Sequence, residues 1–124
     1  MNLTEDESKL VFSIMHDLSG EFDHSEVRQR VGQKLLDLLK ADHFASYVWD
    51  NASQEFVSCV QLNMSDDNLR SYEGYFQFHD PITPVLQKRR KATPVSEVMC
   101  HDRLVRTEFF NDFLKQDGLC YGLN

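Results

Sequence analysis

The 124-residue sequence predicts an α+β domain in which an antiparallel sheet is flanked by helices. Two N-terminal stretches repeat apolar residues at helical spacing, and residues 44–62 hold two strand-forming runs around a polar turn. Near the C-terminus an aromatic helix meets a glycine stop and leads into an extended piece.

Over Glu5–Leu18, Leu10, Val11, Ile14, Met15 and Leu18 recur three to four residues apart and Gly20 marks the end, which predicts a first helix. The residues from Met1 to about Glu5 are expected to fray. Asp23 or Ser25 can cap a second helix, in which Val27, Val31, Leu35 and Leu38 form a stripe that Leu36 and Leu39 widen. Gly32 inside it costs about 1 kcal/mol relative to Ala, so it is expected to mark a close helix contact. Phe44–Trp49 and Phe56–Leu62 read as two antiparallel strands, with Asp50-Asn51-Ala52-Ser53-Gln54 as the turn between them.

Ser65 should start a third helix through Leu69, Tyr72, Tyr75 and Phe76, ending near His79 because the Pro81 ring disfavours helical geometry at Asp80. Asp80-Pro81 then reads as a fresh cap with Pro at the first helical position, giving a short helix over Ile82–Lys88. Thr93-Pro94 begins another extended piece, and Ser96 is placed to cap a helical turn. Thr107 can cap the last helix, which sets Phe109, Phe110 and Phe113 on one side with Leu114 beside them. Gly118 ends it, and Leu119–Leu123 reads as a final strand.

A hydrophobic content of 41% over this length suits one domain, residues 1–124. The net charge is −7, with 6 Lys or Arg against 15 Asp or Glu in residues 1–80 and 7 against 5 in residues 81–124. An acidic chain repels phosphate backbones, so no nucleic-acid contact is expected. Lys88-Arg89-Arg90-Lys91 fits instead as cations at the C-terminal end of a short helix. No apolar run approaches the ~20 residues that span a bilayer, and the acidic N-terminus does not read as a secretory signal, which together predict a cytoplasmic protein without membrane contact. Cys59, Cys100 and Cys120 suit neither a disulfide framework nor a zinc site, and are expected as reduced, mostly buried thiols.

No nucleophile-elbow, zinc-protease or phosphate-loop motif is present, and His16, His24, His43, His79 and His101 are scattered. Cys100-His101 is the one soft neighbouring pair, and adjacent residues rarely chelate one metal. Asp42-His43 and His79-Asp80 would serve acid–base chemistry only if a cleft gathered them. The expectation is a protein that is not an enzyme and holds neither cofactor nor metal.

The aromatic set carries more information. Tyr47 and Trp49 alternate onto one face of the first strand, and Tyr72, Tyr75 and Phe76 share a helical face. Were that helix to cover that face, the rings and Asp80 would surround a space able to hold a small organic ligand. The same rings would equally serve to fill a core.

Tyr72-Glu-Gly-Tyr75-Phe76-Gln-Phe-His-Asp80-Pro81 and Arg106-Thr-Glu-Phe-Phe-Asn-Asp-Phe-Leu-Lys-Gln-Asp-Gly-Leu119 together resemble the N-terminal, GAF- or PAS-like sensory domain of LuxR-type helix-turn-helix transcriptional regulators, over roughly Val27–Leu123. The resemblance implies a cytoplasmic signal-transduction module that binds a small organic molecule and regulates transcription, with DNA binding in a separate C-terminal domain outside this chain. In the acyl-homoserine-lactone branch of that family a tyrosine, a tryptophan and an Asp-Pro aspartate hold the ligand; Tyr47, Trp49 and Asp80 match them in loose spacing, whereas the Arg106–Leu114 pattern resembles the other branch. Further strands complete the family's sheet beyond the "GL" segment, so a sheet incomplete at the C-terminus is expected here. A homo-oligomer through an exposed edge or the first two helices would follow. The alternative is a dimerisation or protein-interaction module that keeps the fold and binds nothing small.

Overall fold

Thr4 opens the first element with a reciprocal pair of bonds: its Oγ1 accepts from the Glu7 amide at 3.1 Å, and its own amide donates to Glu7 Oε1 at 3.0 Å. Two backbone donors that a helix start leaves orphaned are thereby satisfied, and Glu5, Asp6 and Glu7 face the positive end of the helix dipole. Fraying therefore does not extend to Glu5. The computed structural model describes residues 2–20 and 24–124, so the fraying expected at Met1 and the cap expected at Asp23 lie outside the described residues. It is a mixed α+β structure that divides into two compact units, Met1–Met64 and Ser65–Asn124.

The first unit contains α1 (Glu5–Leu18), α2 (Ser25–Leu39), β1 (Phe44–Asp50) and β2 (Glu55–Leu62). The α2 cap is His24, whose Nδ1 accepts from the Glu26 amide at 3.3 Å, and not Ser25. Lys40, in left-handed geometry at φ 54°, closes it. Asp17 near the end of α1 joins the two helices, taking the Lys34 ammonium at 2.5 Å and the Arg30 guanidinium at 3.2 Å. The Lys34 hydrogen bond, followed by the nearby charges of Lys34 and Arg30, holds the Asp17 carboxyl below its ordinary range. Of the apolar stripes, Ile14, Val31 and Leu36 are buried, whereas Met15, Leu18 and Leu39 stay exposed, so the buried face is narrower than the spacing predicts.

β1 and β2 pair antiparallel from Phe44 opposite Leu62 to Asp50 opposite Glu55. The turn is the expected one. Asp50 accepts from the Ala52 amide at 3.2 Å and the Ser53 hydroxyl at 2.7 Å, and its carbonyl takes the Gln54 amide at 2.8 Å. Between Ser46 and Val48 the register slips by one residue, and Ser58 takes φ 54° there, a β-bulge in β2 opposite Tyr47. A β-carbon at Gly32 would sit 2.5 Å from the Phe44 ring, so that glycine marks a close helix contact, made by α2 with β1. Beside the bulge, Arg28 of α2 is 1% exposed. Its guanidinium donates to the Ser46 and Ser58 carbonyls, both at 2.6 Å, and to their hydroxyls at 3.1 and 3.3 Å.

The second unit is built from α3 (Asp66–Gly74), α4 (Thr83–Leu86), α5 (His101–Leu104), a π-helix over Phe109–Phe113 and three short 3-10 turns. Ser65 caps α3 as expected, its hydroxyl accepting from the Asn68 amide at 3.2 Å. The helix then ends earlier than predicted. Tyr75 adopts φ −141° and ψ −59°, and Phe76–Phe78 continues as a 3-10 turn. Tyr75 thus leaves the face that Tyr72 and Phe76 share: these two are buried and Tyr75 is exposed. The short helix expected over Ile82–Lys88 contracts to α4, with Lys88–Lys91 exposed beyond it, and Ser96 lies inside a 3-10 turn and does not cap one.

Thr107 does cap its helix, accepting from the Phe110 amide at 3.1 Å, and Gly118 at φ 73° ends the segment. The helix between them is wider than an α-helix. Phe109 and Phe113 are buried together, while Phe110 packs edge-on to His101 at 6.2 Å, so the three rings do not share one side. Leu119–Leu123 is not a strand. The chain end forms an isolated antiparallel bridge, Leu123 opposite Pro94, with Thr93 and Asn124 exchanging amide–carbonyl bonds of 2.7 and 3.0 Å. The Val95 amide adds one more bond, to the Gly122 carbonyl at 2.8 Å, before the chain turns into a 3-10 helix at Val95. Cys59 is half-buried and Cys100 and Cys120 are exposed, against the expectation of mostly buried thiols.

Candidate functional site

Pro81 keeps the preceding residue out of helical geometry, and the Asp80 side chain folds forward over the start of α4. Its Oδ1 accepts from the amides of Ile82 at 2.8 Å and Thr83 at 3.0 Å. Its Oδ2 accepts from the Tyr72 hydroxyl at 2.9 Å and from the Thr83 hydroxyl. A carboxylate offers about four accepting positions, and the chain's own donors take them all. Asp80 is thus a buried cap that anchors Tyr72. Burial, and then the Asp80 charge, push the Tyr72 phenol far above its ordinary pKa.

Tyr72 is one of four rings in a single cluster. Its centroid lies 5.1 Å from Phe113 and 6.5 Å from Phe109, and Phe76 lies 5.6 and 6.3 Å from the same two. These separations leave no room between the rings for a ligand. Asn68 fixes the arrangement from below, its amide nitrogen donating to the Phe113 carbonyl at 3.0 Å and to Asp117 Oδ2 at 3.0 Å. Asp117 in turn receives the Ser65 amide at 3.2 Å, which ties the start of α3 to the end of the aromatic segment.

Tyr75 looks the other way. Its ring stacks on His79 at 4.3 Å with 30° between planes, and its hydroxyl donates to Glu108 Oε1 at 2.7 Å. That hydrogen bond, burial, and the charges of Glu108 and Asp112 raise the Tyr75 pKa. Beside this pair is an open cleft of about 300 Å³ lined by Tyr75, His79, Pro81, Thr107, Glu108 and Phe109.

Of the residues expected to hold a ligand, Tyr72, Phe76 and Asp80 come together in the second unit as packed structure. Tyr75 borders a cleft. Tyr47 and Trp49 belong to the first unit, where both lie against Phe56, at 5.9 and 5.0 Å, and Trp49 Nε1 donates to Asn51 Oδ1 at 3.1 Å. Sequence spacing gave no reason to choose Glu108, Asn68, Asp117 or Arg28. The first lies within the R-x-E-F-F stretch, and that context was its one available signal.

The acid–imidazole neighbours do not form pairs. Asp80 faces Tyr72 and Thr83 while His79 stacks on Tyr75, and His43 Nδ1 lies 2.9 Å from the Asn63 carbonyl. His101 meets Cys120, at 3.8 Å from Sγ to Nε2, and the Tyr121 ring stacks on it at 5.0 Å. Among the described residues no three His, Cys, Asp or Glu side chains gather to hold a metal ion, and no helix is long and apolar enough to cross a membrane. No family model, curated protein or solved structure matches this chain.

Proposed function

We propose that this chain is a non-enzymatic, GAF- or PAS-like sensory module of a LuxR-type transcriptional regulator, in which a small organic ligand alters how the parent protein presents its DNA-binding parts. The observation that carries the reading is the packing of one motif stretch on the other. Tyr72 and Phe76 from the first contribute half of the ring cluster, and Phe109 and Phe113 from the second contribute the rest. Four of the residues behind the resemblance thus pack together in the core of the second unit, beside Leu69, Ile82, Leu86 and Leu104. A ligand acts by binding one arrangement of the chain more tightly than another, and its effect cannot exceed that difference in affinity.

Thermal-shift measurements on the whole chain with lactones, aromatic acids, cyclic nucleotides and organic amines test the reading. A ligand at a hundred times its Kd stabilises the folded state by about 2.7 kcal/mol, a readily measured shift. No stabilisation by any class removes the sensory reading.

A second reading, a dimerisation or interaction module, is favoured by α1. Phe12 is 70% and Met15 58% exposed, one turn apart, and Leu39 of α2 is 52% exposed. Isolated apolar side chains on a surface are ordinary, but two large ones in register on one helix are the start of an interface. Sedimentation velocity over a hundredfold concentration range decides it: a constant monomer mass excludes self-association, and a dimer that dissociates in Phe12→Glu supports it.

A further inference from the structure

The cleft at Tyr75 carries its own chemistry. One wall is the Tyr75–His79 stack, 4.3 Å between centroids, which offers aromatic surface, and Tyr75 is 44% exposed. Pro81 and Phe109 add apolar lining. Glu108 completes it. One of its carboxylate oxygens is held by the Tyr75 hydroxyl at 2.7 Å, and Glu108 forms no ion pair with any described Lys, Arg or His. The Tyr75 bond thus fixes the direction of a carboxylate that no cation among the described residues pairs. Asp112 adds to the local negative field, as the raised pKa of the Tyr75 phenol registers. Aromatic faces attract cations through their quadrupoles, and a charge-assisted bond to a carboxylate is among the stronger polar contacts. Both hydroxyls in the lining are already engaged, that of Tyr75 with Glu108 and that of Thr107 with the Leu104 carbonyl, and the Glu108 carboxylate repels anionic ligands.

We propose that this cleft binds an aromatic organic cation, its ring laid on the Tyr75–His79 stack and its ammonium group on the Glu108 carboxylate. The proposal rests on the sensory reading and names the ligand class for it. It also moves the site away from Asp80, whose four accepting positions are filled by Tyr72, Ile82 and Thr83.

Three probes of matched size separate charge from ring: phenethylamine, the neutral 2-phenylethanol and the anionic 3-phenylpropanoate. In ¹H–¹⁵N NMR titrations of the whole chain, phenethylamine should move the amides of Tyr75, His79 and Thr107–Phe109, and the other two should leave them in place. Glu108→Gln, a surface change of equal size, should weaken amine binding about tenfold, and Tyr75→Leu should weaken it further while the Ile82 and Thr83 amides keep their positions. Equal response to all three probes, no response to the amine, or unchanged affinity in Glu108→Gln each overturn the proposal. The two levels fail separately. An acid or lactone that stabilises the chain and shifts other amides removes the cation cleft and leaves the sensor. Amine binding at the cleft that leaves both the association state and the amides outside the cleft unchanged leaves the cleft and removes the sensor.

Discussion

The first unit is held by long regular elements and the second by side chains bonded to backbone, and the contrast locates the information that specifies each. In the first, α1 and α2 run 14 and 15 residues with apolar stripes and side-chain caps, and the hairpin register follows from two strand-forming runs and one turn. In the second, no α-helix exceeds the 9 residues of α3, and the backbone passes through 3-10 and π geometry between them. Helices of one turn are unstable alone because nucleation costs more than so few bonds return. Asp80, Asn68, Asp117, Thr107 and Asn111 stabilise them by satisfying particular backbone donors and acceptors. Regular structure thus rests on periodicity, and irregular structure on individual polar residues.

The largest expected effect tests the exception inside the regular unit. Arg28→Ala leaves a cavity and strips four hydrogen bonds from Ser46 and Ser58, and should cost about 3–4 kcal/mol. Trp49, the single tryptophan, sits on β1 and reports the loss by fluorescence in urea. A loss under about 1 kcal/mol would mean that helix and strand packing hold this unit without the guanidinium.

Next comes the polar anchor of the irregular unit. Asp80→Ala leaves the Tyr72 hydroxyl and the Ile82 and Thr83 amides without their acceptor and should cost about 2–3 kcal/mol. Hydrogen exchange at Ile82 and Thr83 should accelerate while β1 and β2 keep their protection. Exchange rates unchanged at those two amides would refute the capping role.

Gly32→Ala sets two effects of known sign against each other. Alanine favours a helix interior by about 1 kcal/mol, but overpacking costs about 1–3, and the added methyl would stand 2.5 Å from the Phe44 ring. The expected net is a destabilisation of about 1 kcal/mol; a stabilised variant would show that the ring yields freely.

The smallest effect is absent at neutral pH. The Tyr72 pKa is raised in the folded state, so its contribution is intact below the ordinary tyrosine value of about 10 and is lost as pH rises above it, where the unfolded chain ionises first. Stability should fall with pH above about 10, and that slope should flatten in Tyr72→Phe. Identical slopes would locate the alkaline sensitivity elsewhere. Asp17 gives the opposite case in the first unit: its pKa is depressed, so its contribution is present above the ordinary carboxyl range and is lost as pH falls through and below it.

Legibility followed the same division. The hairpin bounds were readable to within a residue, because alternation and turn chemistry act over neighbours in the chain. Ser65, Thr107 and Gly118 were readable as start and stop signals for the same reason. Arg28 was not, since nothing local distinguishes a guanidinium bound for a β-bulge from one bound for solvent. The split of the third helix at Tyr75 was equally hidden. An unbroken helix keeps Tyr75 beside Tyr72 and Phe76, and the bond to Glu108, 33 residues away, belongs to the conformation that turns it outward.

By itself the sequence determined a mixed α+β chain, two amphipathic helices, one hairpin and two aromatic motifs, since each is a pattern in adjacent residues whose physics is local. Tertiary structure alone decided what the aromatics do: Tyr72 and Phe76 close against Phe109 and Phe113, Asp80 spends its charge on the chain's own donors, and Tyr75 faces a cleft with Glu108. Spacing assigns a ring to a face, but whether that face meets a core or an opening depends on partners dozens of residues distant.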